Sequence, residues 1–158
     1  MCDFNLKNEF EEVIRSSGRE YAIERVMKAI SIKQPWASLI AHGIKDIENR
    51  TWKCPKKYIG QRILIHASYS KAVFRFSPLQ YDTIGRTSQS LIFNCTYDGF
   101  PKGAIIGSVV IADCVQNHPS VWAEGGCWNW VLRDAVLFDK PILNVKGKLS
   151  FWDYDLED

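Results

Sequence analysis

The sequence lacks the features that identify membrane-spanning and secreted proteins. No apolar run approaches the roughly 20 residues that a helix needs to cross a bilayer, and the N-terminus has no basic-then-apolar signal pattern. The cysteines are odd in number and widely scattered, at Cys2, Cys54, Cys95, Cys114 and Cys127. This pattern does not form a disulfide framework, so we expect reduced thiols in a cytoplasmic protein with no membrane partner.

The sequence is also poor in the patterns that hold metals and cofactors. Cys114, His118 and Cys127 come nearest to a zinc site, but their spacing is irregular. Gly103 and Gly107 are too sparse for a glycine-rich phosphate loop, and no Ser-His-Asp order is present. We therefore expect neither a metal nor a cofactor.

Charge of one sign is not in excess either. The chain has 20 basic and 18 acidic residues, a net charge of +2, so no bulk field attracts it to nucleic acid. Any such contact must come from a local patch.

The 158 residues, 46% hydrophobic and 24% charged, are typical of one globular domain, and we expect a monomer. The six tryptophans fit a core that relies on large side chains, with the alternative that one ring stacks on a base.

Hydrophobic periodicity predicts a mixed α+β domain. In residues 1–26, Phe10, Val13 and Ile14 recur at helix spacing, and Ser17 with Glu20 resembles a capping box, so this segment is interpreted as a helical extension of a domain at 27–158. Alternating or apolar runs predict strands at 28–33, 46–52, 62–68, 104–112, 128–138 and 149–154, with a turn at 139–141. A short helix is predicted at 35–42, and residues 69–102 form a polar, irregular connection with helical turns near 81 and 90–93.

Three charged residues follow the predicted short helix. Lys45 comes directly after it, while Glu48 and Arg50 share one face of the next strand. A lysine is suited to phosphate as a point charge, and the arginine fork can bind a phosphate or a base edge through two hydrogen bonds. Glu48 can accept from an exocyclic amine or act as an acid or base. The alternative is an internal salt bridge that orients the strand.

Further candidates lie around these three residues. Lys33 precedes the short helix and adds positive charge. Trp36 either lines a cleft between that helix and the next strand, where the three charged residues would meet, or packs in the core. His66 and Ser68 share a strand face and can hydrogen-bond a ligand, although a histidine in an apolar strand is more often a satisfied core or rim residue. The lysines at 53, 56 and 57 form a modest basic patch around a turn.

The order of these elements resembles the ASCH domain, a branch of the PUA-like barrels. The family motif G-x-K-x-x-E-x-R is met by Gly43, Lys45, Glu48 and Arg50, and residues 34–39 resemble the same stretch in the coactivator module that gave the family its name. The resemblance covers residues 27–154. It implies a small β-barrel of five to six strands with a short helix after the first strand and a ligand cleft at the motif. The ligand-binding residues it implies, together with the candidates above, are Lys33, Gln34, Pro35, Trp36, Lys45, Glu48, Arg50, His66 and Ser68.

The resemblance leaves two functions open. In the first, the domain binds RNA, a nucleotide or a modified nucleoside. In the second it is a small hydrolase, since some family members are amidohydrolases that act on N4-acetylcytidine and another is a ribonuclease; Lys45 and Glu48 would then be the catalytic residues. The amidohydrolases carry threonine where this chain has Glu48 and use a further glutamate from a later segment. That departure favours binding. A protein-interaction module is the weakest interpretation, because it leaves the charged motif unexplained.

Overall fold

The computed structural model describes residues 26–156 as one six-stranded mixed sheet with three helices packed against it. The predicted helical extension lies almost wholly outside the described residues, and the first strand begins at Val26. Within the described part of the chain, no helix is long and apolar enough to cross a membrane.

The elements alternate between strands and helices in the first two-thirds of the chain and are strands thereafter. In chain order they are β1 (Val26–Gln34), α1 (Trp36–Ala41), β2 (Ile47–Arg50), β3 (Arg62–Lys71), α2 (Pro78–Thr87), α3 (Gln89–Thr96), β4 (Ala104–Val115), β5 (Trp128–Ile142) and β6 (Phe151–Asp155), with a 3₁₀ turn at Lys56–Tyr58. The predicted α+β class and the short helix after the first strand are confirmed.

The strands follow the order β2-β5-β4-β3-β1-β6. β1 pairs in parallel with β3, with Ser31 opposite His66, and all other neighbours are antiparallel. Among residues 26–156, strand pairing does not close the barrel, because β2 and β6 are edges of the sheet. The small barrel expected from the motif is therefore present as a curled sheet with an open side between β2 and the β1–β6 pair.

Alternation along the strands divides the core between the two faces of the sheet. Ile30 and Ile32 on β1 point into the largest cluster, which also contains Trp130 and the buried face of α1. Ala29, one residue away, belongs to a smaller cluster on the other face. A third cluster joins α1, α2 and α3 around Leu39. Because both faces of the central strands are covered, these strands are apolar runs rather than strict alternations.

The ends of α1 follow from local sequence. Pro35 is the N-cap residue, preceded by a cis Gln34–Pro35 peptide bond. Gly43 lies just past the helix with a φ of +75°, a conformation that glycine adopts without the steric cost of a side chain. The short predicted helix is thus confirmed within one or two residues at each end.

The connection between β3 and β4 is more regular than the sequence predicts. Helix α2 begins with a full capping box, in which the Ser77 hydroxyl accepts from the Gln80 amide and the Gln80 side chain accepts from the Ser77 amide. Pro78 occupies the first helical position, where its missing N–H costs nothing. Helix α3 follows after one residue. The two helical turns predicted near 81 and 90–93 are parts of these two helices.

The turn predicted at 139–141 is wrong. β5 continues to Ile142, which pairs with Ile105, whereas Leu137 pairs with Gly107. The chain therefore advances five residues along β5 where it advances two along β4, which is a bulge in β5. Residues in such a bulge make no hydrogen bonds to the neighbouring strand, so Pro141, which has no N–H, is tolerated there. The backbones of β4 and β5 approach each other closely at Gly107, because a Cβ there would collide with the Val136 carbonyl oxygen.

Candidate ligand-binding site

Lys45 lies where the chain turns back after α1. Gly43 ends the helix, and the Lys45 amide donates to the Leu39 carbonyl at 3.0 Å. This tight return places the Lys45 side chain inside the protein, where it is only 4% exposed. Its Nζ donates to the Ile47 carbonyl and lies 5.4 Å from the ring centroid of Trp36.

The pKa of Lys45 is lowered from its ordinary value, above all because burial disfavours the charged ammonium. The positive charge of Arg50 acts in the same direction, whereas the carboxylates of Glu48, Glu124 and Asp46 oppose it. The ammonium is therefore a poorly solvated cation. An additional anion beside it would stabilise its protonated form.

Glu48 and Arg50 extend from β2 toward the open side of the sheet. Nη2 of Arg50 donates to Glu48 Oε2 at 3.4 Å and to the Ser31 carbonyl at 2.9 Å, and its guanidinium carbon lies 5.9 Å from the ring centroid of Trp130. Ser31 is on β1. Arg50 therefore connects the edge strand β2 to β1 across the gap that strand pairing leaves. We call the group Lys45, Glu48 and Arg50 the motif site.

The internal salt bridge that the sequence raised as an alternative is present in the motif site, but it does not satisfy all of the hydrogen-bonding groups there. Glu48 is only 7% exposed, and its ion pair with Arg50 is long for a charged hydrogen bond. Nε of Arg50 is buried and has no acceptor among residues 26–156. The two cations, Lys45 and Arg50, thus face one buried carboxylate, that of Glu48, and the Nε donor of Arg50 has no acceptor in the described part of the chain.

An aromatic cluster forms the other side of the Lys45 environment. The ring of Trp36 makes edge contacts with Phe74, Phe76 and Trp122 at centroid distances of 5.7, 5.7 and 6.4 Å. Trp122 is 3% exposed, and its Nε1 has no acceptor in the described part of the chain. The cation at Lys45 is therefore bounded by flat apolar surfaces as well as by charge.

Two asparagines fasten the β4–β5 loop, residues 116–127, onto β2. Asn49 accepts from Asn129 Nδ2 at 2.9 Å and from the Glu124 amide at 3.0 Å, and donates to the Trp122 carbonyl at 2.9 Å. Asn129 in turn accepts from the His118 amide at 3.0 Å. This network brings Glu124 into electrostatic range of Lys45 and seats Trp122 against Trp36.

A model of the ASCH domain family matches residues 30–134. The chain belongs to the ASCH family. Activating signal cointegrator 1 of Homo sapiens and that of Mus musculus are 32% and 31% identical to the chain over 89 residues. These alignments cover 55% of this chain and 14% of each relative, so the chain spans a small part of the relatives it matches.

Membership of the ASCH family confirms the resemblance carried by the G-x-K-x-x-E-x-R motif. It also supports a nucleic-acid-binding role in general terms. Among residues 26–156, no three His, Cys, Asp or Glu side chains lie close enough together to hold a metal ion.

Of the predicted ligand-binding residues just before the motif, some are buried and hold the helix in place, and one is exposed. Gln34 is buried and holds α1, because its Nε2 donates to the Ser38 hydroxyl and the Pro101 carbonyl at 2.8 Å and its Oε1 accepts from the Ser38 amide at 3.0 Å. Pro35 is buried at the helix start, whereas Lys33 is exposed. Of this ASCH stretch, Trp36 is the residue that contacts the Lys45 environment directly.

His66 and Ser68 have hydrogen-bond partners within the protein. His66 is 1% exposed, and its Nε2 lies 2.7 Å from the Val145 carbonyl, so this nitrogen carries the proton. Nδ1 then accepts from the Ser31 hydroxyl at 3.0 Å. Burial lowers the pKa of His66, against a smaller opposing effect of the Val145 hydrogen bond. Ser68 is half-buried and donates to the Ser70 carbonyl. His66 is thus the satisfied core histidine that the sequence left as the alternative.

Sequence reasoning missed the part of the site that comes from distant segments. Phe74, Phe76, Trp122 and Glu124 reach the neighbourhood of Lys45 through two long connections. Asn49 is the one residue that carried a local signal, since it lies inside the motif between Glu48 and Arg50.

Proposed function

We propose that the motif site binds RNA or a nucleotide-like ligand through an anionic group, with Lys45 and Arg50 as the electrostatic contacts. The observation that carries the proposal is the buried Nε of Arg50, which has no acceptor among residues 26–156. A buried donor without a partner costs about 1–3 kcal/mol, so an incoming oxygen that accepts from it relieves a penalty already present in the free protein.

The electrostatics of Lys45 support the same ligand class. Burial holds its pKa below the ordinary value, so the cation is poorly compensated by solvent. A phosphate oxygen near Nζ stabilises the charged amine, and the low local polarity strengthens that attraction. Glu48 opposes this attraction, because its carboxylate repels an anion unless the ligand also presents a donor such as an exocyclic amine.

The proposal is tested by the affinity of a fluorescein-labelled single-stranded RNA ten nucleotides long, measured by anisotropy at several salt concentrations. Arg50→Met should weaken binding at least about tenfold, equivalent to about 1.4 kcal/mol, and should make the dependence on salt shallower by roughly one counterion. Arg86→Met is the matched control, because Arg86 is a largely exposed arginine on α2 paired with Asp82.

Circular dichroism and urea unfolding verify that each variant is folded under the titration conditions. Arg50→Lys separates charge from geometry, since it keeps the cation but removes the guanidinium Nε; an intermediate affinity is expected. A folded Arg50→Met protein that binds RNA as tightly as Arg86→Met does would refute the assignment of the motif site.

A second candidate function is hydrolysis of an acylated nucleoside, and one observation favours it. Lys45 is a buried amine with a lowered pKa, the property of a lysine that takes up a proton during catalysis. The protein would be incubated with N4-acetylcytidine, and water would cleave the amide to cytidine and acetate. Cytidine release that disappears in Lys45→Met would establish the activity. No release at high protein concentration would leave binding as the function of the site.

A further inference from the structure

A separate cavity of about 240 Å³ lies between α1, α3 and the β4–β5 pair. We call it the α1–α3 cavity. Ser38 and His42 line it from α1, Leu91 and Asn94 from α3, and Phe100 and Phe138 from the segments before β4 and within β5. The residues of the motif site are absent from its lining, and neither the family motif nor the proposed function uses it.

No Lys, Arg, Asp or Glu side chain is among the residues that line the α1–α3 cavity. It combines apolar residues with the two rings of Phe100 and His42, whose centroids are 6.2 Å apart. A phosphate or a carboxylate would find no cation there, and burying an ion without a partner is costly. The lining therefore selects for a neutral ligand.

His42 gives the cavity a defined polar group. Its Nδ1 lies 2.6 Å from the Ser38 carbonyl oxygen, which can only accept, so Nδ1 carries the proton. In the neutral ring Nε2 is then an acceptor. Asn94, half-buried on α3, adds an amide that can donate and accept. The cavity thus offers flat apolar walls together with polar groups of both kinds.

We propose that the α1–α3 cavity binds a neutral, planar heteroaromatic molecule of the size of a nucleobase. Sites for drug-sized ligands occupy about 300–1,000 Å³, so a volume of about 240 Å³ suits a single one- or two-ring system. The ring of Phe100 provides a surface for one face of such a ligand. His42, whose ring is inclined by 50° to that of Phe100, and Asn94 provide partners for its polar edge. The inference does not depend on RNA binding at the motif site.

The test uses free nucleosides, adenosine and cytidine, which carry the heteroaromatic ring but no phosphate. Binding is measured by saturation-transfer NMR and by calorimetry on the full chain. Leu91→Trp fills the cavity and Asn94→Leu removes its amide; each should weaken nucleoside binding by at least about tenfold. Gln89→Leu is the matched control, because Gln89 is an exposed amide on the same helix, and it should leave the affinity unchanged.

Two further probes define the ligand class. Ribose 5-phosphate lacks the ring and should not bind, and benzene lacks the polar edge and should bind more weakly than a nucleoside. Equal affinity for benzene would contradict the heteroaromatic assignment. Absence of saturable nucleoside binding, or binding unchanged in folded Leu91→Trp and Asn94→Leu proteins, would overturn the proposal.

The same titrations distinguish this cavity from the motif site. If Arg50→Met abolishes nucleoside binding while Leu91→Trp preserves it, the nucleoside occupies the motif site and the cavity assignment is wrong. RNA binding lost in Arg50→Met with nucleoside binding lost in Leu91→Trp would support both sites independently.

Discussion

Gly147 lies where the segment before β6 crosses the half-buried Ser31 and the buried His66. A Cβ at this position would be 2.5 Å from Ser31 Oγ and 2.7 and 2.8 Å from Cε1 and Nδ1 of His66. His66 is held at both ring nitrogens, by the Ser31 hydroxyl at 3.0 Å and the Val145 carbonyl at 2.7 Å. Gly147→Ala therefore drives a methyl group against the Ser31 hydroxyl and against the ring of His66, which is 1% exposed.

The cost of this substitution follows from the contacts. Overpacking a well-filled site costs about 1–3 kcal/mol, and each hydrogen bond that is stretched can lose about 0.5–1.5 kcal/mol. With two bonds to His66 at risk, we expect Gly147→Ala to destabilise the protein by about 3 kcal/mol. At a denaturant dependence of about 1–3 kcal/mol per molar urea, the unfolding midpoint falls by about 1–3 M.

Urea unfolding followed by tryptophan fluorescence measures this effect. Gly125→Ala is the control, because a Cβ at Gly125 meets no atom within 4 Å, and its midpoint should match that of the unsubstituted protein. RNA affinity should also decrease in Gly147→Ala, because the displaced Ser31 supplies the carbonyl that anchors Arg50. Equal midpoints for Gly147→Ala and Gly125→Ala would show that the segment is free to move and that this reasoning is wrong.

Three other predictions concern the loop, the buried histidine and the buried thiols. Asn129→Ala removes bonds that hold the β4–β5 loop and should lower the free energy of unfolding by about 2–4 kcal/mol in the same urea assay. Because burial puts the pKa of His66 below its usual 6.5, the unfolded chain binds more protons as the pH falls below 6.5; stability should decrease there, and His66→Gln should flatten that part of the profile. Burial raises the pKa of Cys54 and of Cys95 to about 11, so iodoacetamide at pH 8 should alkylate both about 100-fold more slowly in the native than in the urea-unfolded protein, as measured by peptide mass spectrometry. Native rates equal to unfolded ones would show that the two thiols are accessible.

The position of the motif site on the chain was predictable because its determinants are local. Pro35 and Gly43 mark the start and the end of a short helix through their own backbone preferences. The alternation that follows puts Glu48 and Arg50 on one side of a strand. The ASCH motif then linked these neighbours to a family. Each of these inferences uses residues within about ten positions of one another.

The partners of the motif residues were not predictable in the same way. The sequence raised an internal salt bridge as an alternative, yet it could not indicate that Arg50 also reaches the Ser31 carbonyl across the open side of the sheet. Nor could it show that Lys45 is buried against Trp36. These contacts depend on how β2 and α1 pack against strands far away in sequence.

The same distinction explains the errors in the strands and the connection. Pro141 usually ends a strand, but a bulge opposite β4 accommodates it. Residues 69–102 contain two short helices, which are stabilised by burial of Ile84, Leu91 and Cys95 in the cluster around Leu39 of α1. Tertiary contact therefore decides the extent of β5 and of the two helices, although the capping box of Ser77 and Gln80 is a local signal for the start of α2.

The local sequence is sufficient to identify the family, the strand and helix types and the three charged residues on which the site is built. Those properties rest on backbone preferences and periodicity, which act between near neighbours. The packing of distant segments, by contrast, makes His66 a satisfied core residue and brings Trp122 and Glu124 of the β4–β5 loop to Lys45. It also leaves Nε of Arg50 without an acceptor among residues 26–156. Burial and hydrogen-bond satisfaction depend on every element that surrounds a group, so they emerge only when the distant strands come together.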